Sequence, residues 1–211
     1  MQNLTEPKKN CSICPRLVNF RKDNKEKNPS WFNSPVPSFG EISSEIIIVG
    51  LAPGLKGANK TGRPFTGDFA GDLLYQTLEK FELSNGKYMA TKDDNLELKN
   101  CTITNSVRCV PPKNKPSTEE INNCKKFLLN TINSHKNLKI IIALGHIAHR
   151  SVVSIYKQKQ SKYQFSHGKV HSLENFLLID SYHCSRYNTN TGRLTEDMFE
   201  KVFEKAKSHL K

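Results

Sequence analysis

Six cysteines stand in the 211-residue chain, and four of them form a pattern with chemical meaning. Cys11 and Cys14 make a C-x2-C pair, whose two thiolates can grip one metal centre from a tight turn. Cys109 follows an apolar run, and Cys124 comes after fourteen intervening residues. Four thiols in two pairs suit zinc and an iron-sulfur cluster equally well. Cys124 has a second reading, because it falls on the apolar stripe of a helix, where free cysteine is an ordinary core residue. Cys101, at the start of a β-branched run, reads as core. A second concentration of unusual residue types is "GLAPGLKGANKTGRPFTGD", residues 50–68, which carries Gly50, Gly54, Gly57 and Gly62 together with Pro53 and Pro64. It fits neither G-x-G-x-x-G nor G-x-x-x-x-G-K-[ST], so the two common nucleotide-cradling loops are poor matches. Glycines in such a loop let backbone approach a flat ligand that a side chain would keep away. His167 and His171 in "SHGKVH" have a spacing that could bind metal, whereas His146 and His149 have no acidic partner nearby in sequence and read as surface or structural.

These residues are positioned by alternating apolar and amphipathic segments. "EIIIVG", "CTITNSVRCV", "LKIIIALG" and "NFLLIDS" read as buried strands. "GDFAGDLLYQTLEKFEL" places Leu73, Leu74, Leu78 and Phe81 at helical spacing. "PSTEEINNCKKFLLNTINSH" opens with Ser117 and Glu120 at capping-box spacing. "HIAHRSVVSIYK" predicts a further helix, and "TEDMFEKVFEKAKSHL" a last one capped by Thr195. Four apolar strands alternating with helices predict an α/β three-layer sandwich, a central four-stranded parallel sheet covered by helices on both faces. Ligands of such sheets gather beyond the carboxyl ends of the strands, where the loops after residues 50, 107 and 180 would lie side by side. One domain over 1–211 is expected, with a polar, irregular start to about residue 40.

The formal charge of +12 creates a positive field that favours a polyanion, nucleic acid foremost. An A/T-rich coding sequence would produce the same excess of Lys and Asn. The N-terminus lacks an apolar signal region and the longest apolar runs are far too short to cross a bilayer, so a cytoplasmic protein is expected, with no disulfide framework.

Three segments together resemble the uracil-DNA glycosylase superfamily, and within it the iron-sulfur branch called family 5. "GLAPGLKGANKTGRPFTGD" resembles that family's first motif over its whole length, "NSVRCVPP" its strand and cysteine segment, and "SYHCSRYNTNTGRLT" its second motif, normally written with His-Pro-Ser. The likeness runs from Cys11 to about Thr195. It implies a [4Fe-4S] cluster on Cys11, Cys14, Cys109 and Cys124, tying the N-terminal segment to the sheet. It implies a loop shaped to hold a base flipped out of DNA, with Gly50, Ala52 and Gly54 around the base, Phe65 stacking on it and Asn105 reading its polar edge. His183 matches the second-motif histidine that stabilises negative charge as the base departs. Arg186 and Tyr187 are expected to fill the gap left in the duplex, and Arg193 to grip DNA.

Two departures stand out. Leu51 and Ala52 offer no carboxylate or carboxamide where other branches place one, which is itself a mark of family 5. Cys184 occupies the family's proline position. Asp68 has two readings: a helix N-cap, or a carboxylate one turn from Phe65 that orients water toward the sugar carbon, the role the resemblance assigns to the matching aspartate. The resemblance also draws His167 and His171 into a pocket-facing or DNA-facing loop. The function it implies is hydrolytic, monofunctional excision of uracil from DNA, extending to hypoxanthine, xanthine or mispaired thymine, by a protein expected to be a monomer. The alternative from the residues alone is a zinc-stabilised nucleic-acid-binding module without catalysis.

Overall fold

The computed structural model describes residues 6–210. In chain order its elements are α1 (Pro15–Lys27), β1 (Phe39–Gly40), β2 (Ile46–Gly50), α2 (Ala58–Thr61), α3 (Phe69–Lys80), β3 (Ser84–Asn85), β4 (Glu97–Leu98) and β5 (Cys101–Asn105). There follow α4 (Thr118–Ser134), β6 (Ile140–Leu144), α5 (His146–Ile155), β7 (Val170–Leu173), β8 (Phe176–Ser181), α6 (Arg186–Asn190) and α7 (Glu196–Ser208). β3 and β4 pair as a small separate ribbon.

The central strands are β-branched runs with no exposed residue, which is what a sheet covered on both faces requires. Their order β5-β2-β6-β8 is parallel throughout. Alternation along β2 sends Ile46 and Ile48 to one face, against Leu74 and Leu78 of α3 and Phe199, Val202 and Phe203 of α7. Ile47 and Val49 face the other side, against Leu128 and Ile132 of α4 and Ala148, Val152 and Val153 of α5. Each such side chain removed from water contributes about 1.5–3 kcal/mol, so both helical layers are held by the strands between them.

The sheet has six strands where the sequence predicts four: β1 pairs antiparallel with β5 at one edge and β7 with β8 at the other. Both additions are short edge strands. β1 has two residues, and β7 reads Val-His-Ser-Leu with alternating burial, so neither presents the unbroken apolar run that marks a central strand. The start of the chain also differs from its reading, because Pro15–Lys27 is helical. That helix buries little apolar surface and is docked by polar bonds: Arg16 grips Glu120 with Nε and Nη2 at 2.8 and 2.7 Å. Glu120 is the partner of Ser117 in the expected capping box at the head of α4.

Register aligns the carboxyl ends. Gly50 lies opposite Asn105, and Leu144 opposite Ser181, so the loops leaving β2, β5 and β8 emerge on one edge of the sheet. β6 intervenes between β2 and β8, and its exit is Gly145, at φ +97°. A Cβ there would meet the His183 Cβ at 3.4 Å in a backbone conformation that side chains rarely adopt. The glycine lets the loop after β8 cross toward the Gly-rich loop. No helix among the described residues is long and apolar enough to cross a membrane.

Candidate active site

At that edge lies a cavity of about 390 Å³ walled by Ala52, Gly54, Phe65, Asp68, Asn105, His183 and Arg186. The chain after β2, the last residue of β5 and the chain after β8 supply these residues. Gly50, expected among them, stands behind the wall. A Cβ on Gly50 would fall 2.4 Å from Asn105 Oδ1 and 2.7 Å from the Phe65 ring, so its bare Cα is what allows the ring and the amide to close together over the end of β2. Leu51 and Pro53 of the Gly-rich loop line the cavity too, and so do Phe69, Ala70, Asn114 and Ser185, which were not singled out from the sequence. Asn114 sits at φ +55° in the turn of "PPKNKP", and its doublet of prolines was the available signal.

Phe65 is held at φ +53°, a conformation costly for a bulky residue, so its surroundings must impose it. Arg63, almost wholly buried, forks onto Asp94 at 2.5 and 2.8 Å while its Nε donates to Thr66 Oγ1 at 2.8 Å. Tyr75 donates to the Pro64 carbonyl at 2.8 Å and Tyr88 to that of Phe65 at 3.3 Å. Asn105 is almost wholly buried, and its Oδ1 has no hydrogen-bond partner among the described residues. An orphaned buried acceptor costs about 1–3 kcal/mol, which a ligand donor would recover.

Asp68 occupies both positions its two readings foresee. It caps α3, Oδ1 accepting from Gly71 N–H at 3.2 Å, and it also faces the cavity. Its Oδ2 lies so close to Gly54 and Gly57 that a Cβ on either would stand 2.7 or 2.4 Å away. Burial pushes its pKa up, against the backbone N–H groups of Gly71 and Ala70 that favour the charged form. His183 stacks toward Phe65, ring centroids 5.8 Å apart. An edge of the ring stays open to the cavity, and burial of the remainder pushes its pKa down to about 4. The imidazole is therefore neutral at pH 7.

Of the expected DNA contacts, Arg186 belongs to the cavity wall, whereas Tyr187 and Arg193 lie outside it. Tyr187 is exposed at 73%, Arg186 extends over the Phe69 ring at 5.2 Å, and Arg193 lies over Tyr182 at 4.7 Å. Cys184 is buried at the family's proline position, its thiol 3.4 Å from the Ala70 carbonyl, so packing against α3 restrains this loop. Cys101 is buried in the core, as its strand position foretells.

The histidines require a correction. Neither His167 nor His171 faces the cavity. His171 is buried with Nε2 2.9 Å from Asp180 Oδ2, while His149 Nδ1 approaches Asp180 Oδ1 at 2.6 Å, so His149 does have an acidic partner, one distant in sequence. These are hydrogen-bond separations, and Ser166 N–H also donates to the carboxylate at 3.2 Å, so the cluster ties loop to sheet.

On the far side of the β5 loop, Cys11, Cys14, Cys109 and Cys124 line one hollow with Leu17, Arg21, Arg108 and Phe127. Burial pushes the thiols of Cys14 and Cys124 up and that of Cys109 up to about 12.

The carboxyl ends of the parallel central strands thus gather an aromatic ring, an amide, a carboxylate and a neutral histidine around one cavity, a site of the class that takes a flat ligand with a polar edge. The family description "Uracil DNA glycosylase superfamily" matches residues 37–207, and the chain belongs to this superfamily, in its type-5 branch. It is 40% identical over 204 residues to the type-5 uracil-DNA glycosylase of Thermus thermophilus, covering 93% of this chain and 92% of that one. It is 38% identical over 201 residues to that of Pyrobaculum aerophilum, covering 93% and 88%. The type-4 uracil-DNA glycosylase of P. aerophilum is 33% identical over 163 residues, covering 77% and 69%.

Proposed function

We propose that this protein is a DNA repair glycosylase that takes a flipped uracil into the cavity and hydrolyses its bond to deoxyribose, leaving an abasic site. The observation that carries this reading is the orphaned Asn105 Oδ1 beside Phe65: a buried amide and a ring, at the wall of a base-sized cavity, answer the polar edge and the flat face of a pyrimidine. Uracil presents N3–H as donor and O4 as acceptor, the complement of one carboxamide.

In the reaction the C1′–N1 bond breaks, its electron pair passes to the uracil ring, and water adds to C1′ and gives a proton to the Asp68 carboxylate, which loses it to solvent as the released uracil anion takes one up. His183, neutral, donates an N–H to the oxygen on which the leaving base gathers charge, stabilising it without surrendering the proton. Asp68 orients the water and offsets positive charge at C1′. Leu51 and Ala52 exclude solvent. Arg186 and Tyr187 occupy the gap in the duplex, and Arg193 with the basic surface holds phosphate.

Cys11, Cys14, Cys109 and Cys124 would hold the [4Fe-4S] cluster, which supplies a crosslink between α1, the β5 loop and α4. One observation supports the fit. The buried Nε–H groups of Arg21 and Arg108, which border the hollow, lack acceptors, and a sulfur-rich anionic group provides them.

Asp68→Asn tests the reading. Asparagine caps a helix nearly as well, so thermal stability should hold, and so should binding of abasic-site DNA. Single-turnover release of uracil from a labelled oligonucleotide should fall roughly a hundredfold. Release at the parent rate would leave Asp68 a cap, and a parent protein inactive on every deaminated base would sink the glycosylase reading.

A further inference from the structure

His167 touches neither the cavity nor the thiol hollow, yet both of its ring nitrogens are engaged. Tyr182 N–H donates to Nδ1 at 3.0 Å, and Nε2–H donates to the Met198 carbonyl at 3.1 Å. A backbone N–H can only donate and a carbonyl only accept, so these bonds select one tautomer of the neutral imidazole. Burial holds the His167 pKa below its usual value, in keeping with that state. The ring lies flat against Tyr182, centroids 4.9 Å apart and planes 17° apart.

Tyr182 is the residue before His183, and it stands where the sheet ends. The last ladder partner of β8 is Leu144 opposite Ser181, and Gly145 N–H then takes the Ser181 carbonyl at 2.7 Å. Beyond that point the Tyr182 N–H has the imidazole as its acceptor. The turn that presents His167 is itself pinned to β8: Gly168 N–H donates to the Asp180 carbonyl at 2.8 Å and Asp180 N–H to that of Lys169 at 2.9 Å. Ser166 N–H reaches the Asp180 carboxylate, which His149 and His171 bracket. On the other side, Asn188 Nδ2 donates to the His183 carbonyl at 2.8 Å.

We propose that His167 is a positioning residue for His183: it takes the amide of Tyr182, continues the sheet by one bond, and sets where the His183 ring stands in the cavity. The catalytic consequence rests on the glycosylase reading, while the clamp does not.

The test compares His167→Ala, His167→Asn and His167→Gln in the full chain. Asparagine keeps an acceptor near the place of Nδ1, whereas glutamine keeps a donor near the place of Nε2. Single-turnover excision of uracil should fall about tenfold to a hundredfold in the alanine and glutamine variants, as small displacements of a reacting group do. Binding of abasic-site DNA should stay within about twofold and the asparagine variant should recover most of the parent rate. Amide hydrogen exchange at Tyr182 should quicken in the alanine variant and be slow in the parent and the asparagine variant. An alanine variant with parent excision, or three variants that lose rate only in step with melting temperature, would overturn the proposal. If the parent released no uracil the glycosylase reading would fail by itself, and unchanged exchange at Tyr182 in the alanine variant would still overturn the clamp.

Discussion

On the proposed glycosylase reading, two titratable groups that line the cavity have opposite needs. His183 is more useful neutral, because a neutral N–H stabilises the departing base over a wide pH range, and burial enforces that state. Asp68 is useful ionised, and burial opposes that state by raising its pKa. The folded-state pKa of His183, about 4, lies below the unfolded value near 6.5. The unfolded chain therefore binds the extra proton first, and stability present above pH 6.5 is lost as pH falls toward about 4. Excision should show no limb from His183 between pH 6 and 9, on the order of a flat profile, and an acid limb above the ordinary carboxylate range near 3.9 that belongs to Asp68. Single-turnover rates against pH check this: a limb near 6.5 that disappears in His183→Gln would refute it. Since the charged form of Asp68 costs the fold, the same reasoning expects Asp68→Asn to be no less stable than the parent at pH 7.

Among the elements, α3 shows how a helix can be subordinated to the loop before it. Gly71 sits in its first turn, where alanine ordinarily stabilises a helix by about 1 kcal/mol. Here a Cβ would stand 1.8 Å from the Phe65 carbonyl and 2.7 Å from the Tyr88 hydroxyl. Gly71→Ala should lose about 1–3 kcal/mol in urea unfolding and displace Phe65, so excision should fall as well. A stabilised alanine variant would contradict the packing described. The short helix α6 makes a different demand. Ser185 caps it, and it projects Arg186 and Tyr187 outward from the cavity rim. Replacing both by alanine should slow excision of paired uracil far more than that of single-stranded uracil, where little stacking must be undone. Equal losses on the two substrates would remove the wedge role.

For the molecule as a whole, the issue is what holds the N-terminal segment to the sheet. α1 is polar and meets α4 through the Arg16–Glu120 fork and the four-thiol hollow. Cys124→Ser should cost iron and sulfide and lower the melting temperature, with the cavity residues untouched by the substitution. Anaerobically purified parent protein that is colourless and carries stoichiometric zinc would reverse the assignment. The net charge of +12 adds a sequence-independent attraction to DNA, so affinity should fall steeply with salt.

Much of this was legible in the order of residues, for reasons of range. Unbroken runs such as "EIIIVG" mark strands covered on both faces, and Ser117, Thr195 and Asp68 cap helices through bonds spanning three residues. The glycines of residues 50–68 announced a close approach, and the motif resemblance pointed to the strand-end loops that the fold brings together. What only the tertiary structure decided depends on partners far apart in the chain. His149 and His171 read as surface, metal or DNA-facing groups until Asp180 stands between them, and His167 until the Tyr182 amide reaches its Nδ1. Arg108, wholly buried, is tolerable only because Ser38, Thr131 and Glu6 converge on it from three segments. β1 and β7 are strands because an edge was open beside β5 and β8, and α1 is a helix docked by distant carboxylates and carbonyls. A periodicity is local and survives in the sequence. The partner that satisfies a buried polar group is chosen by the fold, since desolvation makes its solitude costly only once the chain has closed around it.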